Sequence, residues 1–107
     1  MKVKLNVGDR VTLLRIIPFP KEGGRLAFKL VNDFIEELSF SPKDFKDFKL
    51  VEKDRQVSWK SSKDKEIEVE DVILEIIKNT LKQLDKEEKL DRYSYLLYER
   101  FITNLKM

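Results

Sequence analysis

Apolar residues recur along this chain at helical spacing near both ends and at strand spacing between them. Val7, Val11, Leu14 and Ile17 fall on one stripe at intervals of three and four, the repeat of a helix face. Asn6 stands where a cap belongs. Asp9 follows at the third helical position, where a carboxylate suits the free N–H groups and the helix dipole. Helix over 7–17 is the preferred reading, with residues 2–5 as a short edge strand. The alternative is a β-hairpin: Val3, Leu5 and Val7 alternate with polar residues, Gly8-Asp9 turns, and Val11 to Ile17 is rich in β-branched residues.

Pro18 to Gly24 holds two prolines and two glycines, and no helix passes through it. The helical repeat resumes near Arg25 and runs to about Leu38. Leu26, Leu30, Phe34 and Leu38 recur every fourth residue, and Val31 and Ile35 widen the stripe. Ser41, Pro42 and Asp44 form a local start signal, with a hydroxyl cap, proline at the first helical position and a carboxylate at the third. It opens one or two turns ending at Phe48.

Between 49 and 70 the period drops to two. Residues 49–53 and 56–60 read as short strands joined through Asp54-Arg55. Lys65 to Glu70 alternates cleanly, with Ile67 and Val69 inward. From Asp71 to Leu84 the helical period returns, with Ile73, Ile76, Ile77, Leu81 and Leu84 on one face. The charged run Asp85 to Lys89 is the end of that helix or a loop. A last helix spans Asp91 to about Asn104, with Tyr93, Leu97 and Phe101 four apart and Leu96 and Ile102 beside them. Two helices so close in sequence pack as an antiparallel hairpin. The expected fold is α+β: N-terminal helices, a small antiparallel sheet and a C-terminal antiparallel helical hairpin. One domain is expected over residues 1–107, mainly helical to 48, with short strands to 70 and the hairpin beyond, and the weakest seam at 61–65.

Composition narrows the chemistry. The 107 residues include no histidine and no cysteine. The commonest general base, metal ligand and reactive thiol are therefore missing together. Ser–His and Cys–His pairs are impossible, and zinc sites built on those ligands are excluded. Gly23-Gly24 lacks the further glycines and the Lys-Ser/Thr of a phosphate loop. Glu66, Glu68, Glu70 and Asp71 are the one acidic cluster within reach of a hard cation such as Mg²⁺, but the same alternation describes any half-exposed strand. The expectation is a protein that is not an enzyme, with no cofactor, no metal and no small-molecule substrate.

Charged residues make up 39%, against roughly 25% in an average soluble chain, and they are of mixed sign. A heat-adapted source gives such a composition, and so does an AT-rich genome. The net charge of +2 is unevenly spread: residues 1–30 carry seven Lys/Arg and two Asp/Glu. That basic third suits a phosphate backbone or an acidic protein patch. The opening residues show no apolar run with a cleavage site, and no stretch reaches the ~18 apolar residues of a membrane span. A cytoplasmic protein without membrane contact is expected.

Two surfaces offer contact chemistry. Phe19, held between two prolines, and the aromatic last helix with Tyr95, Tyr98 and Ile102 fit a protein partner or a second copy of this chain. A plainer role for Phe19 is a lid on the core. Arg55, Trp59, Lys60 and Lys63 fit nucleic acid, with the indole stacking on a base and the cations on phosphates. The order of helices followed by a basic hairpin is winged-helix-like, with 42–48 entering the groove and 53–60 as the wing. Asp44 and Asp47 cancel Lys43 and Lys46 on that short helix.

Leu5-Asn6-Val7 leading into an aliphatic helix that ends Ile17-Pro18, with the Glu22-Gly23 break, resembles small phage- and prophage-encoded proteins. Val57-Ser58-Trp59, Lys65 to Val69, Leu84 to Leu90 and Tyr98-Glu99-Arg100-Phe101 look like the same group. The resemblance implies an accessory phage or mobile-element protein; the expectation that it acts through protein–protein contact comes from the missing chemistry and the aromatic surface at Phe19 and the last helix. It carries no functional residues with it. Gly8, in the first helical turn, departs from the helix former expected there.

Overall fold

The computed structural model describes residues 1–18, 22–54 and 56–103. A strand β1 (Lys2–Leu5) leads into helix α1 (Val7–Ile16), followed by α2 (Arg25–Leu38) and the short α3 (Pro42–Phe48). Strands β2 (Val51–Lys53) and β3 (Gln56–Ser58) form a ribbon, and β4 (Lys65–Glu68) precedes α4 (Asp71–Lys86). Helix α5 (Arg92–Tyr98) continues as a π-helical turn over Glu99–Thr103. The fold is α+β and ends in a helical pair.

Local chemistry sets the helix starts. The Asn6 carboxamide accepts the Asp9 N–H at 2.8 Å, and the Asp9 carboxylate accepts the Asn6 N–H at 3.1 Å. Ser41 and Asp44 make the same reciprocal pair at 3.1 Å in each direction, with Pro42 at the first position. Each box satisfies two backbone donors that the helix itself leaves unpaired. Helix α1 ends at Ile16, and Ile17 turns extended, as a residue before proline must. Helix α4 takes in Asp85 and Lys86 from the charged run, and the chain turns away at Glu88, with a φ of 57°.

The strands do not gather into one small sheet. They form two separate antiparallel pairs, β1 with β4 and β2 with β3. Val3 opposes Ile67 on the inner face of the first pair, while Lys2 opposes Glu68 and Lys4 opposes Glu66 outside. This explains the acidic alternation along β4: each glutamate faces a lysine across the ladder. Among the described residues, no group of three such side chains could hold a metal ion. In the second pair, Glu52 opposes Val57. The Lys60 N–H donates to the Phe48 carbonyl at 2.9 Å, tying the end of the ribbon to α3 and away from β4.

The main core lies between the β1–β4 ladder and helices α1, α2, α4 and α5. Leu5, Leu13, Leu38, Ile77, Leu81 and Phe101 are fully enclosed there. A smaller cluster of Val7, Phe48 and Leu50 joins α1 to α3 and the ribbon, with Val11, Phe40, Val57 and Trp59 packed on it. Helix α1 therefore serves two clusters. Its apolar stripe is wider than the spacing of Val7, Val11, Leu14 and Ile17 suggests, because Leu13 is buried as well.

Between the clusters sits Arg10, only 2% exposed. Its guanidinium donates to the carbonyls of Leu38 at 3.0 Å and Ser39 at 2.7 Å, at the end of α2, where helical carbonyls lack partners and the dipole is negative. It also lies 3.6 Å from the Asp44 carboxylate and 4.1 Å above the Phe40 ring. Burial pushes the guanidinium below its ordinary pKa, against the opposing pull of Asp44. One side chain thus joins α1, the end of α2 and the start of α3.

Ion pairs fix α5 antiparallel to α1. Arg15, at the end of α1, meets Asp91 at 2.6 Å, and Arg100 meets Asp9 at 3.0 Å and also donates to the Lys4 carbonyl. Asp91 is the N-cap of α5 as well, accepting the Ser94 N–H and hydroxyl, each at 2.8 Å. Burial works against its carboxylate, but these donors and Arg15 outweigh it and hold the pKa at about 2, below the ordinary 3.8. The sign follows. A carboxyl lowered in the folded state contributes stability that is complete above its unfolded value, near pH 4, and is lost as pH falls toward 2. Melting temperatures across this range should fall less steeply for Asp91→Asn, which keeps a capping side chain and removes the charge. Parallel curves would show that Asp91 contributes nothing to the acid limb.

Candidate functional site

The second cluster stops short of filling its space. Between α1, α3, the β2–β3 ribbon and the start of α5 runs a groove of about 500 Å³, within the size range of ligand-binding clefts. Four rings line it: Phe40, Phe45, Trp59 and Tyr93. Aliphatic side chains of α1 and the ribbon complete its walls.

Each ring arrives for a local reason. Phe40 precedes the Ser41 cap and is pinned by Arg10. Phe45, within α3, is 40% exposed and meets Phe40 edge-on, with ring centres 6.3 Å apart. Alternation along the ribbon turns Leu50, Glu52, Val57 and Trp59 toward the groove and sends Val51, which is 53% exposed, to the other side. Tyr93, in the first turn of α5, tilts against Trp59 with centres 6.2 Å apart.

Gly8 lets the Trp59 and Tyr93 rings lie close against the backbone of α1. A Cβ at that position would lie 3.0 Å from Tyr93 Cε1 and 3.3 Å from Trp59 Cζ2. The first turn of α1 thus gives up helix propensity so that two rings can lie against its backbone.

Two charged side chains stand among the lining residues, Arg15 and Glu52. Arg15 is neutralised by Asp91. Asp44, beneath the groove, is held below the usual carboxylate range: burial opposes its charge, but the Ser41 cap and Arg10 prevail.

Sequence reasoning found Trp59 and placed it with cations instead of other rings. The structure leaves Lys60 and Lys63 exposed and turns the half-buried indole into the groove. Arg55 and Phe19 lie outside the described residues. Tyr95 is half exposed, whereas Tyr98 and Ile102 are partly buried and pack on the main core, so the aromatic face of the last helix is narrower than its sequence suggests. The ribbon follows α3 in the winged-helix order, but β1 pairs with β4 and not with the ribbon. Phe40 and Phe45 escaped notice as site residues, and Tyr93 was read only with the aromatic residues of the last helix. Each sits in a different local pattern, and only Gly8, an unexpected glycine in a helical turn, signalled close packing nearby.

No helix among the described residues is long and apolar enough to cross a membrane. Comparison of the chain with protein-family models, with curated proteins and with solved structures found no match.

Proposed function

We propose that this protein is a non-enzymatic accessory or regulatory module that acts by protein–protein contact, with the aromatic groove as its contact surface. The observation that carries this reading is the convergence of Phe40, Phe45, Trp59 and Tyr93 from four segments on one open cleft. Aromatic side chains in a partly formed pocket are what protein partners use as anchoring points. A chain without imidazole or thiol groups has little else to offer a substrate. The half-buried position of Trp59 against Tyr93 supports this reading over base stacking with Lys60 and Lys63.

The test is partner recovery from cells of the source organism, comparing the native chain with a Phe45→Ser/Val57→Thr double variant that thins the groove walls. Both proteins should melt within a few degrees of each other. The native chain should retain a partner protein that the variant recovers at least tenfold less well. Equal recovery by both overturns the reading. So does a nucleic-acid mobility shift that weakens steeply with salt and survives in the variant, since that result belongs to a nucleic-acid-binding module.

A further inference from the structure

Resting on the protein-contact reading, we infer that the groove receives a basic side chain, lysine or arginine, from a partner segment, with Glu52 as its counter-charge. The first support is charge balance. Among the described residues, the arginines at the groove are already matched, Arg15 by Asp91 at 2.6 Å and Arg10 by Asp44 at 3.6 Å. Glu52 is not: among the described residues it has no ion-pair or hydrogen-bond partner. Its strand neighbour Val51 is turned to the opposite face of the ribbon, and Lys53, which borders a second hollow together with Glu52, forms no ion pair with it. One unbalanced carboxylate is therefore left at an aromatic cleft.

The second support is the lining. Aromatic faces attract cations through their quadrupole, and more strongly where water is excluded. The protein already uses this attraction at the groove's inner wall, where the Arg10 guanidinium lies 4.1 Å from the centre of Phe40. Phe45, Trp59 and Tyr93 remain for an incoming cation. The stem of a lysine or arginine is aliphatic and suits Val57 and Leu50, while its head reaches the rings and Glu52. A purely apolar anchor would leave Glu52 facing hydrocarbon at a cost, and an acidic one would be repelled.

Trp59 is the only tryptophan in the chain and lines the groove, so its emission reports occupancy. The probes are two amide-capped peptides free of tryptophan and tyrosine, an arginine–leucine repeat and a glutamate–leucine repeat, together with choline as a free cation. The full chain should bind the arginine–leucine peptide saturably, and the glutamate–leucine peptide and choline at least tenfold more weakly. Glu52→Gln, a change at an exposed position, should weaken the basic peptide at least fivefold at unchanged melting temperature. Equal binding of the two peptides, or indifference to Glu52→Gln, overturns the inference. So does a response to neither peptide, or choline matching the basic peptide. Should the double variant above lose its partner while Glu52→Gln keeps it, the contact reading stands and only the basic side chain is lost.

Discussion

Replacing Arg10 with alanine should destabilise the protein by about 3–5 kcal/mol, because two hydrogen bonds from a buried charged group, at about 1.5–3 kcal/mol each, are lost together. The loss has three sources. The carbonyls of Leu38 and Ser39 lose their donor at the end of α2, Asp44 loses its counter-charge, and the Phe40 ring loses the group stacked on it. At roughly 4–8 °C per kcal/mol for a domain of nearly this size, the melting temperature should fall by more than about 12 °C. Arg10→Lys should recover only part of this, because an ammonium cannot present the planar fork that reaches both carbonyls and the carboxylate. Arg15→Ala is the internal control. Its pair with Asp91 is as short as any ion pair among the described residues, but both side chains are about half exposed, and the change should cost roughly 1 kcal/mol or less. A loss of under about 1 kcal/mol for Arg10→Ala would remove the guanidinium from the account of how α1, α2 and α3 are joined.

Phe101→Ala is the second large effect. This ring is fully enclosed in the main core, although it belongs to the π-helical turn that closes the described chain. Truncation should cost about 3–5 kcal/mol, the range for a buried phenylalanine. Urea unfolding followed by circular dichroism checks it, with Tyr95→Ala for comparison. Tyr95 is half exposed six residues earlier in the same helical segment, and its loss should stay within about 0.5 kcal/mol. If both variants unfold alike, the final turn is not part of the cooperative unit. If Phe101→Ala is the far weaker protein, the last turn is as much a part of the core as Leu97.

These two residues mark the boundary of what the sequence discloses. Features set by neighbours in the chain were readable. The Asn6–Asp9 and Ser41–Asp44 caps, the proline end of α1 and the long apolar faces of α2 and α4 all follow from residues within a few positions of one another. Features set across distance were not. Arg10 looks like one more surface charge in a lysine-rich chain, and its burial depends on carbonyls 28 and 29 residues later. The β1–β4 pairing spans most of the chain, so the lysines opposite Glu66 and Glu68 could not be matched in advance. Tyr98 and Ile102 pack on the core beside Leu97 and Phe101, at the flank of a helix whose last turn widens. The groove was the least readable feature. Its rings come from α3 and the segment before it, the ribbon's end and α5, and no single window of sequence contains all three of those regions. Trp59 was legible as a candidate because cations flank it in sequence, but the rings around it were not.

Gly8 ties the history of three positions together. Any descendant that acquires a methyl group there gains a better helical turn and loses room for the rings at 59 and 93. Such a change makes the rings give way by a few tenths of an ångström, which a smaller or reoriented side chain at one of the other two sites would ease. Across relatives, positions 8, 59 and 93 should vary as a set, and a lineage with alanine at 8 should carry a remodelled cleft.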